Sequence, residues 1–492
     1  MVRKLIMLVA AALFGSLAAF AQDNVQQADS SAAPKLINLE QALHIALSEN
    51  ASVKVADMEI ERTGYARKGT YASLFPQIDG NASYQRTIEK QVMYMDFDMG
   101  DMGGAGGGSD TGSDAGSTGS SQTSSGGGIE VGRWNTWSAG ITASMPLVNA
   151  QLWQSLKISD QDVELAVEAA RSSRLEMVNQ VKQAYFGCLL AKEAFEVYKS
   201  VYENALENYK LVEMKYNARK ASELELTRAK TTLANAIPDV YNAESSVILS
   251  LWQLKAVMGV NLDENIDVSE TLGDYANRML GDMADSASDS LSLENNSTMR
   301  QLAIQAEQLA NTIKMQKYAN IPTLSLAFSY NFNAMTNDFN FSEYRWSPYS
   351  YVGLTLQIPI FAGGKRHSAI KQAQVQAAEL DVQRADTERQ LKISIRQNLN
   401  QMETAMKSYG ASQTALESAE KAYNITARSY QVGSSTLTDL NDAQLALTQS
   451  QLAVSQAIYD FVIAKSSLES TVGADFIDGE GNVQLNNTKD NE

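Results

Sequence analysis

The chain has 492 residues, 44% of them hydrophobic, and 57 acidic against 40 basic side chains give it a net charge of −17. That apolar share builds packed cores and excludes a disordered chain, while the acidic balance excludes nucleic acid, whose phosphates demand a basic surface. The single cysteine, Cys188, excludes an intrachain disulfide, and the two histidines, His44 and His367, lie far apart. With no metal-ligand spacing, nucleophile elbow or phosphate-binding loop, nothing points to an enzyme, a metal site or a cofactor.

In chain order, residues 1–21 read as a secretory signal. Arg3 and Lys4 form its charged start, Leu5 to Phe20 is largely apolar, and Ala19-Phe20-Ala21 is the cleavage site. No later stretch approaches the 18 continuous apolar residues of a spanning helix, which leaves β-strands as the route into a membrane. Residues 22–73 are read as an N-terminal segment with a first helix, and 74–146 as a first β-hairpin. In that hairpin Ile78, Gly80, Ala82 and Tyr84 alternate with polar neighbours, as do Trp137, Ala139, Ile141, Ala143 and Met145. Between these strands, residues 100–128 hold 12 glycines and 7 serines, the composition of an unstructured loop. The adjoining Met93, Met95, Met99 and Met102 are read as part of that loop rather than as a soft-metal site.

Residues 147–260 follow as a first long helical hairpin, 261–290 as an equatorial linker and 291–321 as a helix. A second β-hairpin occupies 322–359, where Leu324, Leu326, Phe328, Tyr330 and Phe332, then Val352, Leu354, Leu356 and Ile358, alternate with small polar residues. A second helical hairpin covers 360–473 and a polar tail 474–492. Prolines at 76, 146, 322 and 359 punctuate the strand–helix junctions. Trp134, Trp137, Tyr330, Trp346 and Tyr349 are candidates for interfacial girdles.

The chain is written twice. At an offset of 214 positions Tyr216 falls on Tyr430, Leu226 on Leu440, Ala229 on Ala443 and Gly259 on Gly473. The seam Leu226, Ala229, Leu233, Ala236, Val240, Ala243 and Val247 steps alternately by three and four, and its counterpart from Leu440 to Phe461 keeps the same phase. That is a heptad signal in duplicate. Cys188 falls on the seam of the preceding helix, opposite Met402 in the repeat, and is read as packing. No proline interrupts the stretch from Ala150 to Tyr216, which predicts a helix roughly 100 Å long, whereas Pro238 should kink the returning helix or open one of its backbone bonds.

Four strands cannot close a barrel, and open strand edges are not tolerated in lipid, so the chain is expected to associate. Two copies give eight strands with a filled interior; three give twelve and leave a channel. The long helices favour three, because twelve of them stacked beneath such a pore extend it as a tube. The fold class is therefore mainly α with membrane β: a trimeric 12-stranded β-barrel, four strands per chain, continued by a 12-helix α-barrel, with an internal repeat.

Four motifs in this order carry a family resemblance: Leu39-Glu40-Gln41-Ala42-Leu43, Leu74-Phe75-Pro76, Pro359-Ile360-Phe361-Ala362-Gly363-Gly364-Lys365, and Tyr430-Gln431-Val432-Gly433-Ser434-Ser435-Thr436-Leu437-Thr438-Asp439-Leu440. Together with the duplication they resemble the TolC-like outer-membrane efflux proteins over about Leu36 to Gly473. The resemblance implies a homotrimeric export duct in the outer membrane of a Gram-negative envelope, in contact with its lipid and extending through the periplasm. It implies a periplasmic adaptor that grips the hairpin turns and an inner-membrane pump that supplies the energy. Small-molecule efflux and type I protein secretion are both compatible with it. By the same resemblance Asp439 and Asp442 form stacked carboxylate rings at a pore gate, Glu225 is the repeat partner of Asp439, and Tyr430 helps hold a closed mouth. Mutual repulsion in such rings raises their pKa values. Adaptor-docking tips fall on Ala218, Arg219, Lys220 and Ser222, and on Gly433, Ser434 and Ser435. Arg219 replaces the family's glycine in the first tip. The competing reading is a pore-less coiled coil of the envelope, which leaves the four amphipathic strands unexplained.

Overall fold

The computed structural model describes residues 34–93, 129–279, 281–282 and 292–474. The signal peptide, the Gly/Ser-rich loop, Met95, Met99 and Met102, and the tail beyond Ala474 lie outside these residues. The described chain begins with β1 (Lys35–Ile37), α1 (Leu39–Glu49), α2 (Ala51–Ala72), β2 (Gln77–Arg86), β3 (Gln91–Met93), β4 (Ile129–Val131) and β5 (Asn135–Val148). It continues with α3 (Ala150–Asn217), α4 (Glu223–Met258), β6 (Ile266–Val268), α5 (Leu272–Ala276), α6 (Ser297–Tyr318), β7 (Thr323–Thr336), β8 (Ser347–Gln357), α7 (Lys365–Val432) and α8 (Leu437–Val472). It is mainly helical and divides into two compact units, one from residues up to 57, 169–300 and 386 onward, the other from 58–168 and 301–385.

The second unit holds an antiparallel sheet in the order β2-β5-β7-β8. Period-two patterning and register together sort its side chains onto two faces. Ile78, Ala143, Phe328 and Val352 make one row across the sheet, and Met145, Leu326 and Leu354 another on the same face. The opposite face carries rows such as Asp79, Thr142, Ser329 and Tyr351. Two expectations change here. Tyr349 pairs with Asn331, so it lies on the polar face and does not join an apolar girdle with Trp137 and Tyr330. Pro146 does not end its strand: β5 runs on to Val148 through a register shift between Pro146 and Val148, the irregularity by which a ladder accommodates a missing N–H. Beyond β2 and β5 the short strands β3 and β4 pair with each other.

The first unit is built on the long helices. Tyr185, Phe186, Cys188 and Leu189 of α3, Leu254 and Met258 of α4, Met402 of α7 and Phe461 of α8 share one buried cluster. Each large side chain so buried contributes about 1.5–3 kcal/mol. Cys188 sits in this core with its repeat partner Met402, and burial pushes its thiol pKa up, as suits packing. Helix α4 continues past Pro238, which has no N–H to give its ladder. Residues read from sequence as a linker contain β6, which pairs in parallel with β1, and the short helix α5. Glu270, just past β6, accepts hydrogen bonds from the hydroxyls of Tyr185 (2.8 Å) and Tyr275 (2.7 Å). Burial first, then the Glu270 carboxylate, pushes both phenols up.

The N-terminal helix also divides where one was expected. Asn50 turns the chain between α1 and α2 with ψ 134°. Its Oδ1 accepts from Ser52 N (2.7 Å), capping α2, and its Nδ2 donates to Val257 O (2.7 Å) in the last turn of α4. Asn296 repeats the arrangement: Oδ1 accepts from Met299 N (2.9 Å) and Nδ2 donates to Thr471 O (2.6 Å) at the end of α8. Gly259 and Gly473, which close α4 and α8 at φ 75° and 79°, leave room for these asparagine turns. A Cβ on Gly473 would stand 2.3 Å from Asn295 O, and one on Gly259 2.9 Å from Glu49 O.

Candidate functional site: the paired hairpin tips

Every site residue named from sequence falls where α3 turns into α4 or α7 turns into α8. Both turns have the same backbone. Lys220 N donates back to Lys215 O (2.7 Å) and Arg219 N to Tyr216 O (2.8 Å); Ser434 N donates to Ser429 O (2.8 Å) and Gly433 N to Tyr430 O (3.2 Å). This pairing of six-to-one and five-to-two bonds ends a helix through one left-handed residue. In the second tip that residue is Gly433 at φ 84°; in the first it is Arg219 at φ 60°, the one non-glycine with positive φ among the described residues. The steric cost to an L-residue there is about 1 kcal/mol.

The next helix starts the same way on both sides. Ser222 Oγ accepts from Glu225 N (3.2 Å) while Glu225 Oε2 accepts from Ser222 N (2.9 Å). Thr436 Oγ1 accepts from Asp439 N (3.2 Å), and Asp439 Oδ2 accepts from Thr436 N (2.9 Å), Thr436 Oγ1 (2.7 Å) and Ser435 Oγ (3.1 Å). These are reciprocal capping boxes. The backbone N–H of Thr436, then the hydroxyls of Thr436 and Ser435, hold the Asp439 carboxyl below its ordinary range. Asp442 lies exposed one turn on, and its carboxylate makes no hydrogen bond or ion pair among the described residues.

Between the tips Tyr430, Leu437 and Leu440 pack against Val212 and Ala229 in a small buried cluster of their own. Lys215 closes it. Its Nζ donates to Tyr430 O (2.9 Å) and stands 4.3 Å from the centre of the Tyr430 ring. Arg228 donates to Thr438 Oγ1 (3.3 Å) and Asn441 to Thr232 Oγ1 (3.3 Å), which adds two polar ties between the hairpins. Burial, then the nearby Glu225 charge, pushes the Tyr430 hydroxyl up. Within one chain, then, Tyr430 and Glu225 come together, and Ser435 and Asp439 do so in a separate hydrogen-bonded group. Lys215 is the contact that sequence reasoning missed. Its only signal is that the repeat places Ser429 at the matching position.

Twin long helical hairpins, a two-faced four-stranded sheet and matched tips make up the described chain. The sequence profile described as outer membrane efflux protein matches residues 42–260 and 290–474, and the chain belongs to that family. The outer membrane protein TolC of Vibrio cholerae is 22% identical over 343 residues, covering 68% of this chain and 76% of that one. The alkaline protease secretion protein AprF of Pseudomonas aeruginosa is 23% identical over 375 residues, 73% of this chain and 77% of its own. Among solved structures, the CmeC outer membrane channel of Campylobacter jejuni superposes with a TM-score of 0.67 at 19% identity, covering 89% of this chain and 85% of its own. The chain is accordingly an outer-membrane protein of the efflux-channel class, and family membership decides against the pore-less coiled coil.

Proposed function

We propose that three copies of this chain form a passive export duct, with the sheets closing into a 12-stranded barrel in the outer membrane and the long helices continuing it through the periplasm. The observation that carries this reading is the sheet itself. It has one apolar face and two edges, β2 and β8, without a partner among the described residues. In lipid each unpaired edge is costly, and closure removes both. Strand direction alternates across β2-β5-β7-β8, so β8 of one copy meets β2 of the next antiparallel and the alternation continues around a ring. Twelve strands leave an aqueous lumen lined by the Asp79–Thr142–Ser329–Tyr351 face.

The tips form the periplasmic mouth in this reading. Asp439 and Asp442 from three chains make stacked acidic rings with Glu225 nearby, and these favour cations. Tyr430, held by Lys215, keeps the two hairpins of each copy together at the gate. Ala218, Arg219, Lys220 and Ser222, with Gly433, Ser434 and Ser435, meet a periplasmic adaptor that connects the duct to an inner-membrane pump. The test is conductance of the purified protein in a planar bilayer, with oligomer mass measured alongside. Cation-selective channels that lose selectivity in Asp439→Ala/Asp442→Ala support the gate; an unchanged reversal potential removes these residues from it.

A further inference from the structure

The two tips share one backbone and carry opposite charge. Residues 215–230 hold five cations, Lys215, Arg219, Lys220, Arg228 and Lys230, against two acids; the matching stretch 429–444 holds Asp439 and Asp442 and no cation. In a chain with a net charge of −17 the first tip is a local reversal of sign. Two of the five cations are used internally, Lys215 on Tyr430 and Arg228 on Thr438. Arg219 and Lys220 are exposed at the turn itself, and neither side chain has a partner among the described residues.

Arg219 also keeps a left-handed backbone at φ 60° where its counterpart is Gly433. Packing does not explain the difference, because a Cβ on Gly433 would meet nothing within 4 Å. A strained residue at an exposed apex, whose side chain has no partner among the described residues, points to a contact outside the chain. Guanidinium and ammonium side by side suit a carboxylate, the guanidinium by its planar fork and the ammonium as a point charge. A broad anionic surface such as lipid is disfavoured, since Asp439 and Asp442 of the adjoining tip would be repelled by it. A second copy packed side by side does not account for residues that lie past the helix end.

We propose that Arg219 and Lys220 make the first tip an electrostatic docking point for an acidic protein partner, a helix or hairpin end carrying carboxylates. This rests on the duct reading and adds that the two tips grip by different chemistry. The first uses ion pairing, for which the second, with no cation in its turn, has no counterpart.

The test uses the purified full-length oligomer and a fluorescent helical-hairpin peptide with glutamates flanking its turn, against the same peptide with glutamines. The glutamate peptide should bind at least tenfold more tightly, and its affinity should fall at least tenfold between about 50 and 300 mM salt. Arg219→Gly with Lys220→Gln should abolish that preference without loss of folded protein, since glycine relieves the strained φ; Arg219→Lys should keep it. Equal binding of the two peptides, binding of neither, or a double variant that binds as the parent does would overturn the proposal. So would phosphatidylglycerol vesicles that bind through these residues while the peptide does not, or a change of oligomer mass in the double variant. Bilayer conductance of that variant separates the two levels. Conducting oligomers with no preference for the glutamate peptide refute only the docking chemistry, and absence of any conducting oligomer, parent included, refutes the duct as well.

Discussion

The first and second tips are the same turn executed with different residues. Each ends a 68-residue helix through a left-handed position, and each starts a 36-residue helix with a capping box. Backbone hydrogen bonding therefore settles the geometry, and the side chains are free to diverge in charge. At the first tip a left-handed arginine stands among cations; at the second a glycine precedes a carboxylate that gathers three hydrogen bonds from Thr436 and Ser435. The two tips share the fold of the turn and differ in its surface.

Proline is the harshest way to break this equivalence. Gly433→Pro forces φ from 84° towards about −65° and deletes the N–H bonded to Tyr430 O. The expected loss is about 3 kcal/mol locally, read as roughly hundredfold faster hydrogen exchange at the second tip, with oligomer mass unchanged. Arg219→Pro should cost the first tip as much, because the backbone is the same. Smaller is Lys215→Met, which removes both the bond to the Tyr430 carbonyl and the cation over its ring. We expect about 2 kcal/mol of coupling between the hairpins to disappear, measured by a double-mutant cycle with Tyr430→Phe as the silent control. Exchanging the left-handed residues sharpens the comparison further: Arg219→Gly should stabilise its tip and Gly433→Arg destabilise the other, each by about 1 kcal/mol, seen as opposite shifts in tip-amide exchange.

The smallest effect is in pH. The Asp439 carboxyl titrates below its ordinary value near 3.8, so its contribution to the second tip is complete above that value and is lost as pH falls through the depressed pKa. Exchange at the second tip should therefore accelerate only in strongly acidic solution, and Asp439→Asn should flatten that dependence. Repulsion within a ring of three carboxylates acts the other way. A transition shifted upward in the assembled protein relative to the isolated chain would measure how closely the three approach.

The heptad steps of Leu226 to Val247 and their copies made the helical hairpins legible in the sequence, and strict alternation from Leu324 to Phe332 did the same for β7. Gly433 and Asp439 were named through the family resemblance, and the structure sets them at a helix stop and a helix start. What was hidden depends on contacts distant in sequence. The strands β1 and β6 have three residues each and no period to read, and Lys215 acquires its role only when another hairpin brings Tyr430 beneath it. Tyr349 misled for a related reason: an aromatic near a strand end suggests an interface, yet the face it occupies follows from register with Asn331. The break at Asn50 was local enough to find, since Asn50-Ala51-Ser52 and Asn296-Ser297-Thr298 spell the same cap before helices α2 and α6, both 22 residues long.

The central claim is that the open sheet closes by trimerisation around an aqueous lumen. Single-channel recording of the purified protein, with native mass determined on the same sample, tests it most directly. A trimer that gives discrete, cation-selective conductance steps is the expected result. A soluble monomer or a membrane-inserted dimer without conductance would contradict the account.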